Sequence, residues 1–391
     1  MITFEQAIQI IKANHRALET EKVEMIKSLN RVLRQDVLSD MNMPPFDKSA
    51  MDGYACRMED IENELTVMET IQAGYKPKTK IGKNQCAKIM TGAMIPEGAD
   101  CVIIIEEVEE LFSNKIKFKK EKTSVNICYK AEDVVVGEKL LSEGVRITEK
   151  EIASLALTGC IEPIVSIQPK VGIITTGDEI IEPIDVPQES QIRNTNAYQL
   201  IAQCENFGCD TKYYGIVTDT EKEITSAIVK AKQECDLILL TGGVSMGEYD
   251  LVPAILKKNG FELLFEKVAV QPGKPTVFGK CEDTFVFGMP GNPVSSFIVF
   301  EFFVKEFLAC LMGLKKYYKS LSLELDFDFK RKRSERLARV PVKINSVGKV
   351  ESIEYHGSAH ISSLSFADGI ISIPIGVSEI KKGTIVNVRQ I

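Results

Sequence analysis

Four loops of the chain carry carboxylates, closely spaced glycines or both, a composition suited to holding phosphate groups and a metal ion. Their sequences are TTGDE (175–179), VTD (217–219), TGGVSMGEYD (241–250) and GMPGNP (288–293). Glycines let a backbone approach a phosphate closely, and successive N–H groups form an anion-binding nest. Mg²⁺ typically takes one or two protein carboxylates together with phosphate oxygens. The loops therefore suggest a Mg²⁺-assisted phosphate site.

Each loop taken alone also has an ordinary structural interpretation. Gly-Gly and Pro-Gly form turns, and Asp or Glu side chains cap helices. Four such loops at the ends of consecutive strands favour a binding site over four unrelated turns. The chain has no GxxxxGK[ST] motif, which excludes a Walker-type nucleotidase. Lys267 and Lys274 follow the third loop, and Lys274, on a turn between prolines, suits either an oxyanion clamp or a solvated loop charge.

Alternating strands and helices position these loops. We predict strands at 171–175, 212–217, 236–240 and 284–287, and helices at 195–207, 221–233, 251–258 and 294–311. This alternation indicates an α/β fold with a doubly wound, mostly parallel sheet. In such a sheet, ligands bind at the carboxyl ends of the strands, where the four loops lie.

The rest of the chain has different sequence patterns. Thr3 and Gln6 predict a capping box for an N-terminal helix, with His15 on its face near the C-terminal end and without a ligand role. A hairpin is predicted at 111–118 and a helix at 148–157, whereas period-2 alternation from residue 321 indicates C-terminal strands. We therefore expect four domains. They are a discontinuous helical linker domain (1–41 and 139–167), a mostly β domain (42–138), an α/β domain (168–315) and a small C-terminal β-barrel (316–391).

Composition narrows the class of partners. The 391 residues include 48 Lys and Arg against 55 Asp and Glu, a formal net charge of −7, which argues weakly against general binding to nucleic acid or a membrane surface. No apolar run reaches the roughly 18 residues of a membrane span. The start, MITFEQAIQI, lacks the pattern of a secretory signal, so we expect a cytoplasmic protein. The 10 cysteines are scattered without a CxxC pair and are expected to be buried thiols.

A basic run and a pair of histidines near the C-terminus are each interpreted as ordinary surface or loop features. The basic run 330–333, continued by Arg336 and Arg339, is predicted to be a solvated hairpin end, with a nucleic-acid patch as the disfavoured alternative. His356 and His360 have the i, i+4 spacing of a helical metal pair, but Gly357 and Ser358 between them indicate a loop.

Two more non-periodic loops complete a set of six motifs. In chain order the motifs are PPFDKSAMDGYA (44–55), IMTGAMIPEGAD (89–100), TTGDE (175–179), TGGVSMGEYD (241–250), PGKP (272–275) and GMPGNPVS (288–295). Together they resemble the molybdopterin molybdenumtransferase family, to which bacterial MoeA and the E domain of gephyrin belong. One such motif would be weak, but six in the family's order, spread over nearly the whole chain, are specific.

The resemblance implies a reaction and an assembly. Such proteins take adenylyl-molybdopterin, molybdate and Mg²⁺, cleave the phosphoanhydride, release AMP and leave molybdenum on the dithiolene. It also implies a homodimer of elongated subunits, in which the β domain of one subunit completes the site of the other. Contacts with molybdopterin adenylyltransferase and with molybdoenzyme maturation proteins are further expectations.

Carried over by position, the resemblance implies roles for individual residues. Glu179, Asp219 and Asp250 are the implied Mg²⁺ ligands, and Asp52 and Thr91 the contribution of the partner subunit. The full implied set has catalytic residues Asp52, Thr91, Asp133, Glu179, Asp219, Asp250, Lys267 and Lys274, and substrate-binding residues Thr176, Gly177, Gly242, Gly243, Ser245, Pro290, Gly291, Asn292, Pro293 and Ser358.

Some positions depart from the family pattern. Cys128 stands where an arginine is usual, Ala131 where a glycine is usual, and Gln271 where a lysine is frequent. The changes at Cys128 and Gln271 remove positive charge from an anion site. Lys130 lacks the bidentate fork of an arginine, and Lys48 is a candidate to restore one charge.

Two other functions remain open on the sequence. The lost charges favour a non-catalytic molybdopterin-binding or scaffold protein, whereas the intact acids at 179, 219 and 250 oppose it. A tungstate-preferring enzyme is also compatible, since sequence does not separate the two oxyanions.

Overall fold

The computed structural model describes residues 1–243 and 251–391. The chain forms two compact units. The larger comprises Met1–Gln35, Glu143–Ile152 and Glu162–Ile391, and the smaller comprises Asp36–Ser142 and Ala153–Ile161. The helices are α1 (Phe4–Ala13), α2 (Glu149–Leu157), α3 (Asn196–Phe207), α4 (Glu221–Glu234), α5 (Val252–Lys258), α6 (Pro293–Val299) and α7 (Lys305–Met312), with 3₁₀ turns at Met25–Ser28, Met58–Asp60, Ile105–Glu107 and Ile361–Phe366 and a π turn at Phe300–Val304.

The N-terminal helix α1 confirms the predicted capping box. The Thr3 hydroxyl accepts from the Gln6 N–H, and the Gln6 side chain accepts from the Thr3 N–H at 2.9 Å. Its buried side is Ala7 and Ile11. The helix ends at Ala13, so His15 lies beyond the helix and not on its face, contrary to the prediction, because Asn14 leaves helical geometry as the C-cap.

The smaller unit is built mainly of strands. Its strands are β2 (Val37–Leu38), β3 (Lys48–Ser49), β4 (Gly53–Cys56), β5 (Glu64–Ile71), β6 (Gln85–Ile89), β7 (Cys101–Ile104), β8 (Val108–Leu111), β9 (Lys115–Phe118), β10 (Ile127–Cys128) and β11 (Lys139–Leu141). Strands β1 (Thr20–Lys22) and β12 (Ile164–Ser166), which pair with each other, belong to the larger unit. The main sheet of this unit has the order β7-β4-β6-β5-β9-β8. The predicted hairpin is confirmed as β8–β9, with Ser113 and Asn114 at φ 61° and 59°.

The α/β part of the larger unit confirms the doubly wound, mostly parallel sheet. Its strands are β13 (Lys170–Thr176), β14 (Ile180–Ile181), β15 (Ile192–Arg193), β16 (Asp210–Val217), β17 (Leu237–Thr241), β18 (Glu262–Phe265), β19 (Val270–Gln271), β20 (Val277–Cys281) and β21 (Thr284–Met289). The sheet order is β16-β13-β17-β21-β20-β18. Strands β16, β13, β17 and β21 pair in parallel, whereas β20 pairs antiparallel with both β21 and β18.

Both faces of this sheet are covered, as its apolar strands predict. Successive residues alternate between two cores: Ile173 packs on the α3 and α6–α7 side, and Ile174 on the α4 and α5 side. The single helix predicted at 294–311 is interrupted by the π turn between α6 and α7.

The C-terminal part is a small barrel, as predicted. Its strands are β22 (Ser320–Glu324), β23 (Phe329–Lys330), β24 (Leu337–Ile344), β25 (Val350–Ser352), β26 (Gly369–Ile373), β27 (Glu379–Ile380) and β28 (Ile385–Gln390). The order β24-β26-β28-β22 closes because β25 pairs with β24 and a bridge joins Leu325 to Val350. Strand β19 of the α/β part pairs in parallel with β24.

None of the helices in the described residues has both the length and the apolar character needed to cross a membrane.

Candidate functional site

The carboxyl ends of the parallel strands meet at one edge of the sheet. In register, Thr241 of β17 lies beside Thr175 of β13 and Met289 of β21, and Val217 lies beside Thr176. The four loops predicted from sequence therefore emerge side by side. A cavity of about 1190 Å³ opens at this edge and is lined by three of these loops, by the 271–275 segment and by the C-terminal part.

The first loop orients a carboxylate beside a backbone that only glycine fits. Gly177 has φ 143°, and a Cβ there would lie 2.7 Å from Glu179 Oε2. The buried Thr176 and the exposed Glu179 both line the cavity. The arrangement places the predicted site residues Thr176, Gly177 and Glu179 in one loop at the cavity.

Asp219 stands next to this loop in an acidic cluster. Its N–H donates to Asp178 Oδ1 at 3.2 Å. The pKa of Asp219 is raised, first by desolvation of the carboxyl and then by the charges of Asp178 and Glu179. Asp219 is not among the described residues that line the cavity. A cluster of carboxylates that repel one another is stabilised by a cation.

The Gly-Gly loop brings its backbone against the first loop. Gly242 has φ 96°, and a Cβ there would lie 2.1 Å from the Thr176 carbonyl oxygen, so no other residue is tolerated without a backbone shift. Gly243 follows at φ 59°. Two predicted site residues of the same loop, Ser245 and Asp250, lie outside the described residues.

Two asparagines, which the sequence interpretation missed, tie the loops together. Asn196 donates to Thr241 Oγ1 at 2.9 Å and to the Gly291 carbonyl at 2.7 Å. Asn194 donates to Thr175 Oγ1 at 3.2 Å. Asn196 Oδ1 is buried without a hydrogen-bond partner in the described part of the chain, and Asn196 lines the cavity. The signal available in the sequence was the polar string QIRNTN (191–196) before α3.

The Pro-Gly loop joins the C-terminal part to the site. Pro290, Gly291, Asn292 and Pro293 line the cavity, and Pro293 begins α6. Asn292 does not cap the helix with its side chain and instead donates to Ser358 Oγ at 3.0 Å. The predicted residue Ser358 therefore contacts the Pro-Gly loop.

The two predicted lysines have different positions. Lys274 lines the cavity, half-buried, on a turn where Gly273 has φ 104°. Lys267 is exposed and is not among the described lining residues; its carbonyl accepts from the Ile2 N–H at 3.0 Å. The structure does not bring Lys267 to the cavity; its backbone is instead paired with the N-terminal residue Ile2.

The basic run of the C-terminal part lines the cavity, which corrects its interpretation as a solvated hairpin end. The described charged residues in the cavity wall are eight cations and one carboxylate, a formal balance of +7. They are Arg193, Lys274, Lys330, Arg331, Lys332, Arg333, Arg336, Arg339 and Glu179. The wall is therefore strongly positive, although the chain as a whole carries −7.

Arg339 is the most deeply buried of these cations. It is 6% exposed, and its Cζ lies 3.8 Å from the ring centroid of Phe302 and 4.4 Å from that of Phe4. Burial, and then the charge of Arg389, lower the pKa of Arg339 to about 10. No ion pair joins Arg339 to a carboxylate within residues 1–243 and 251–391, and its Nε has no hydrogen-bond partner there. An anion in the cavity would stabilise this buried charge.

The smaller unit brings the predicted Asp52 and Thr91 together. Asp52 Oδ1 accepts from the Thr91 N–H at 2.6 Å and from its hydroxyl at 2.9 Å. These two bonds lower the pKa of Asp52, so the carboxylate is held ionised. Asp133 is exposed, and its N–H donates to the Met43 carbonyl at 2.9 Å.

Two of the positions that depart from the family pattern, Cys128 and Ala131, also lie in this unit, whereas Gln271 lies in the cavity wall of the larger unit. Cys128 of β10 is the direct cross-strand partner of Lys48 of β3, so a cation stands opposite the position that lacks its arginine. Ala131 adopts φ 63°, a left-handed conformation that costs a non-glycine residue roughly 1–2 kcal/mol. The Lys130 N–H donates to Asp47 Oδ1 at 2.8 Å.

The donor set suits a magnesium ion shared with a substrate. Among the described residues no group of three His, Cys, Asp or Glu could hold a metal ion by itself. Glu179 and Asp219 would supply oxygen ligands, and substrate phosphate the remainder, which is the usual way in which Mg²⁺ binds. His356 and His360 stack at 4.9 Å between ring centroids, and no third ligand accompanies them in the described chain.

Family models match almost the whole chain in three consecutive parts. They are the MoeA N-terminal region (domain I and II) at residues 2–159, a probable molybdopterin binding domain at 172–309, and the MoeA C-terminal region (domain IV) at 322–391.

Curated relatives are similar over their whole length. The molybdopterin molybdenumtransferase of Bacillus subtilis is 34% identical, with 100% of this chain and 94% of the relative covered. That of Staphylococcus epidermidis is 33% identical, with 99% and 95% covered. Among solved structures, the molybdopterin biosynthesis moeA protein of Pyrococcus horikoshii OT3 has a TM-score of 0.85 and 31% identity, with 100% of both chains covered.

Proposed function

The chain belongs to the molybdopterin molybdenumtransferase family, and from this premise we propose that it inserts molybdenum into adenylyl-molybdopterin with Mg²⁺-dependent release of AMP. It is an enzyme of that family with a role in molybdenum-cofactor biosynthesis. The adenylylated substrate, molybdate and Mg²⁺ are the parts that we propose.

The observation that carries the proposal is that an acidic cluster and a cluster of cations lie at the same edge of the sheet. Glu179 lines the cavity beside Asp219, and the remaining described charges of its wall are positive. A substrate that combines a diphosphate, a metal ion and an oxyanion needs both signs of charge within reach.

We assign a separate role to each group of residues at the site. Gly177, Gly242 and Gly243 permit close approach of the backbone to the diphosphate, and Lys274 and Arg339 bind the oxyanion. Asn196 and Ser358 hold the loops in register. Mg²⁺, bound through Glu179 and Asp219, would neutralise charge on the phosphoanhydride. Water would attack one phosphorus of the phosphoanhydride and break its bridging P–O bond, which releases AMP and leaves the phosphate on the pterin. Molybdate would form two Mo–S bonds to the dithiolene, and one of its oxygens would leave as water with the two thiol protons.

The test is AMP release from purified adenylyl-molybdopterin by the full chain. Release should require both Mg²⁺ and molybdate and should stop when EDTA removes the metal. Nucleotide chromatography measures the rate, with inorganic phosphate in place of molybdate as the control. AMP release that is independent of molybdate would contradict the proposal.

The proposed assembly is a cytoplasmic homodimer with a composite site. Asp52, Thr91 and Asp133 in the mostly β domain (42–138) would complete the site of the partner subunit, whose α/β domain spans 168–315. The mutual contact of Asp52 and Thr91 supports a joint role for this pair. The helical linker domain and the C-terminal barrel domain complete the four-domain division that we propose.

Gln271 offers a test of the missing positive charge at the cavity. It lies in the cavity wall as the register partner of Ala338, one residue from Arg339. Gln271→Lys should lower the KM for molybdate about 3- to 10-fold, because a further cation would face the oxyanion. Steady-state AMP release at varied molybdate measures this, with Gln168→Lys on the exposed surface as control. An unchanged KM would separate this position from oxyanion binding.

Lys48 and Cys128 form a second test. Lys48→Asn should reduce kcat/KM about 10-fold, because it removes the cation opposite Cys128. Adding Cys128→Arg to this variant should restore most of the activity, since the charge returns on the neighbouring strand. A double-mutant cycle measures the coupling. Purely additive effects would show that Lys48 does not substitute for the arginine.

A non-catalytic scaffold on the same fold is the second candidate, favoured by the uncharged residues Cys128 and Gln271. It predicts retention of bound pterin without AMP release. A tungstate-preferring enzyme is the third. Equimolar molybdate and tungstate, followed by metal analysis of the product, separates the two oxyanions.

A further inference from the structure

The loop between β23 and β24, residues 331–336, is here called the basic loop. It contains Arg331, Lys332, Arg333 and Arg336, all of which line the cavity. Lys332 and Arg333 are exposed, whereas Arg331 and Arg336 are half-buried. The loop also contains Glu335, which is not among the described lining residues, so the side of the loop facing the cavity is cationic.

The basic loop is held in one conformation by its own first arginine. Arg331 donates from Nε to the Val377 carbonyl at 2.7 Å, from Nη1 to the Arg336 carbonyl at 2.8 Å and from Nη2 to the Pro374 carbonyl at 2.6 Å. The Gly376 N–H donates to the Ser334 carbonyl at 2.8 Å. A merely solvated run of cations needs no such anchoring, and a fixed loop loses less entropy when it binds a ligand.

Lys332 and Arg333 are the cations that this anchoring leaves available. No ion pair joins either of them to a carboxylate in the part of the chain that the structure describes. The neighbouring Lys330, by contrast, pairs with Glu379 at 3.3 Å. Charges of one sign along a concave wall focus the field on the ligand and raise its local concentration.

Burial separates the cations of the wall into two groups. Arg339 is buried and Lys274 half-buried, whereas Lys332 and Arg333 are exposed and therefore lie towards solvent. A volume of about 1190 Å³ is far larger than a tetrahedral oxyanion requires. The cavity thus has room for two anionic groups, one at each group of cations.

We propose that the basic loop binds the phosphate of the nucleotide half of the substrate, through Lys332 and Arg333, while the inner cations bind the oxyanion. This inference rests on the proposed function, because it assumes a nucleotidyl substrate. A cavity of about 1190 Å³ has the size for a small phosphate ester and not for a nucleic-acid duplex.

The test is equilibrium binding of AMP to the full-length protein by titration calorimetry. The double variant Lys332→Glu, Arg333→Glu should weaken AMP binding at least 10-fold at low salt. It should also flatten the dependence of affinity on salt concentration. Adenosine, which lacks the phosphate, should bind the variant and the unmodified protein alike. Lys332→Gln, Arg333→Gln should give a smaller loss in the same direction.

The matched control is Lys316→Glu, Lys319→Glu, which makes the same charge change at exposed positions outside the described cavity wall. AMP affinity should change less than 2-fold. Equal losses in both double variants, or an unchanged affinity in the loop variant, would overturn the inference. If the unmodified protein fails to release AMP from adenylyl-molybdopterin, the proposed function fails instead, and the AMP titration distinguishes the two results.

Discussion

Asp219→Asn should lower the rate of AMP release at least about 100-fold, since loss of one electrostatic group at a reacting phosphate typically costs on the order of 10²–10³ in rate. The substitution keeps the shape of the side chain and removes one of the two described acids at the proposed Mg²⁺ site. The apparent Mg²⁺ requirement should rise as well. Initial rates at varied Mg²⁺ and saturating molybdate measure both effects.

The same variant should not be less stable than the unmodified protein. The folded-state pKa of Asp219 is raised, so its ionised form opposes folding. This cost appears as the pH rises above the unfolded-state pKa and is complete above the folded-state pKa. Asp219→Asn removes it, and the thermal midpoint should stay or rise. Asp210→Asn, at the opposite end of β16, is the control and should keep both activity and stability.

Asp219→Asn with full activity would contradict the site assignment. A variant that loses activity together with several degrees of thermal midpoint would instead indicate a structural role for Asp219.

Arg339→Met should abolish most oxyanion binding, with a loss of about 100-fold in kcat/KM for molybdate. Arg339 is a buried cation in the cavity wall without a carboxylate partner in the described chain, so an anionic ligand supplies its missing counter-charge. Molybdate should raise the thermal midpoint of the unmodified protein, because ligands that bind only the folded state stabilise it. The variant should lose that shift.

Arg389→Met is the control, matched in residue type, burial and aromatic contact. Arg389 is 9% exposed, and its Cζ lies 4.4 Å from the same Phe302 ring, but it is not among the described lining residues. Arg389→Met should keep the molybdate-induced shift.

The lowered pKa of Arg339 means that its charged form opposes folding at neutral pH and ceases to do so as the pH rises above about 10. Arg339→Met should therefore leave the ligand-free midpoint unchanged or higher, and a molybdate shift that survives would contradict the assignment.

The strand-edge site was predictable because its signals are local. Apolar runs such as the one ending at Thr175 identify the parallel strands, and the strand ends then determine which loops meet. The glycine requirement at Gly242 follows equally from its place in a tight loop. Thr3 and Gln6 show the same principle in a helix cap, where the two partners are three residues apart.

The cationic wall was not predictable from local pattern. Its position depends on the parallel pairing of β19 with β24, which joins Val270 to Leu337 across more than sixty residues of chain. The run at 330–333 has the composition of any solvated hairpin end until that pairing turns it towards the cavity. Lys267, conversely, lies close to Lys274 in sequence, yet only Lys274 is among the described residues that line the cavity.

The net charge of the chain was a poor guide to the charge of its ligand, for a related reason. The value of −7 is the sum of the formal charges over the whole chain. The described residues of the cavity wall, which face the ligand, have a formal net charge of +7. Electrostatic fields at a concave site depend on the nearby charges, since distant surface charges are screened within roughly 10 Å at ordinary salt.

The central claim is that AMP release and molybdenum insertion are one event in this chain. A single-turnover reaction with adenylyl-molybdopterin, Mg²⁺ and molybdate should be stopped at successive times, and AMP and pterin-bound molybdenum measured in the same samples. The account predicts that both appear together in a 1:1 ratio, and that both are lost in Asp219→Asn. Bound pterin without AMP release, or AMP release without pterin-bound molybdenum, would contradict it.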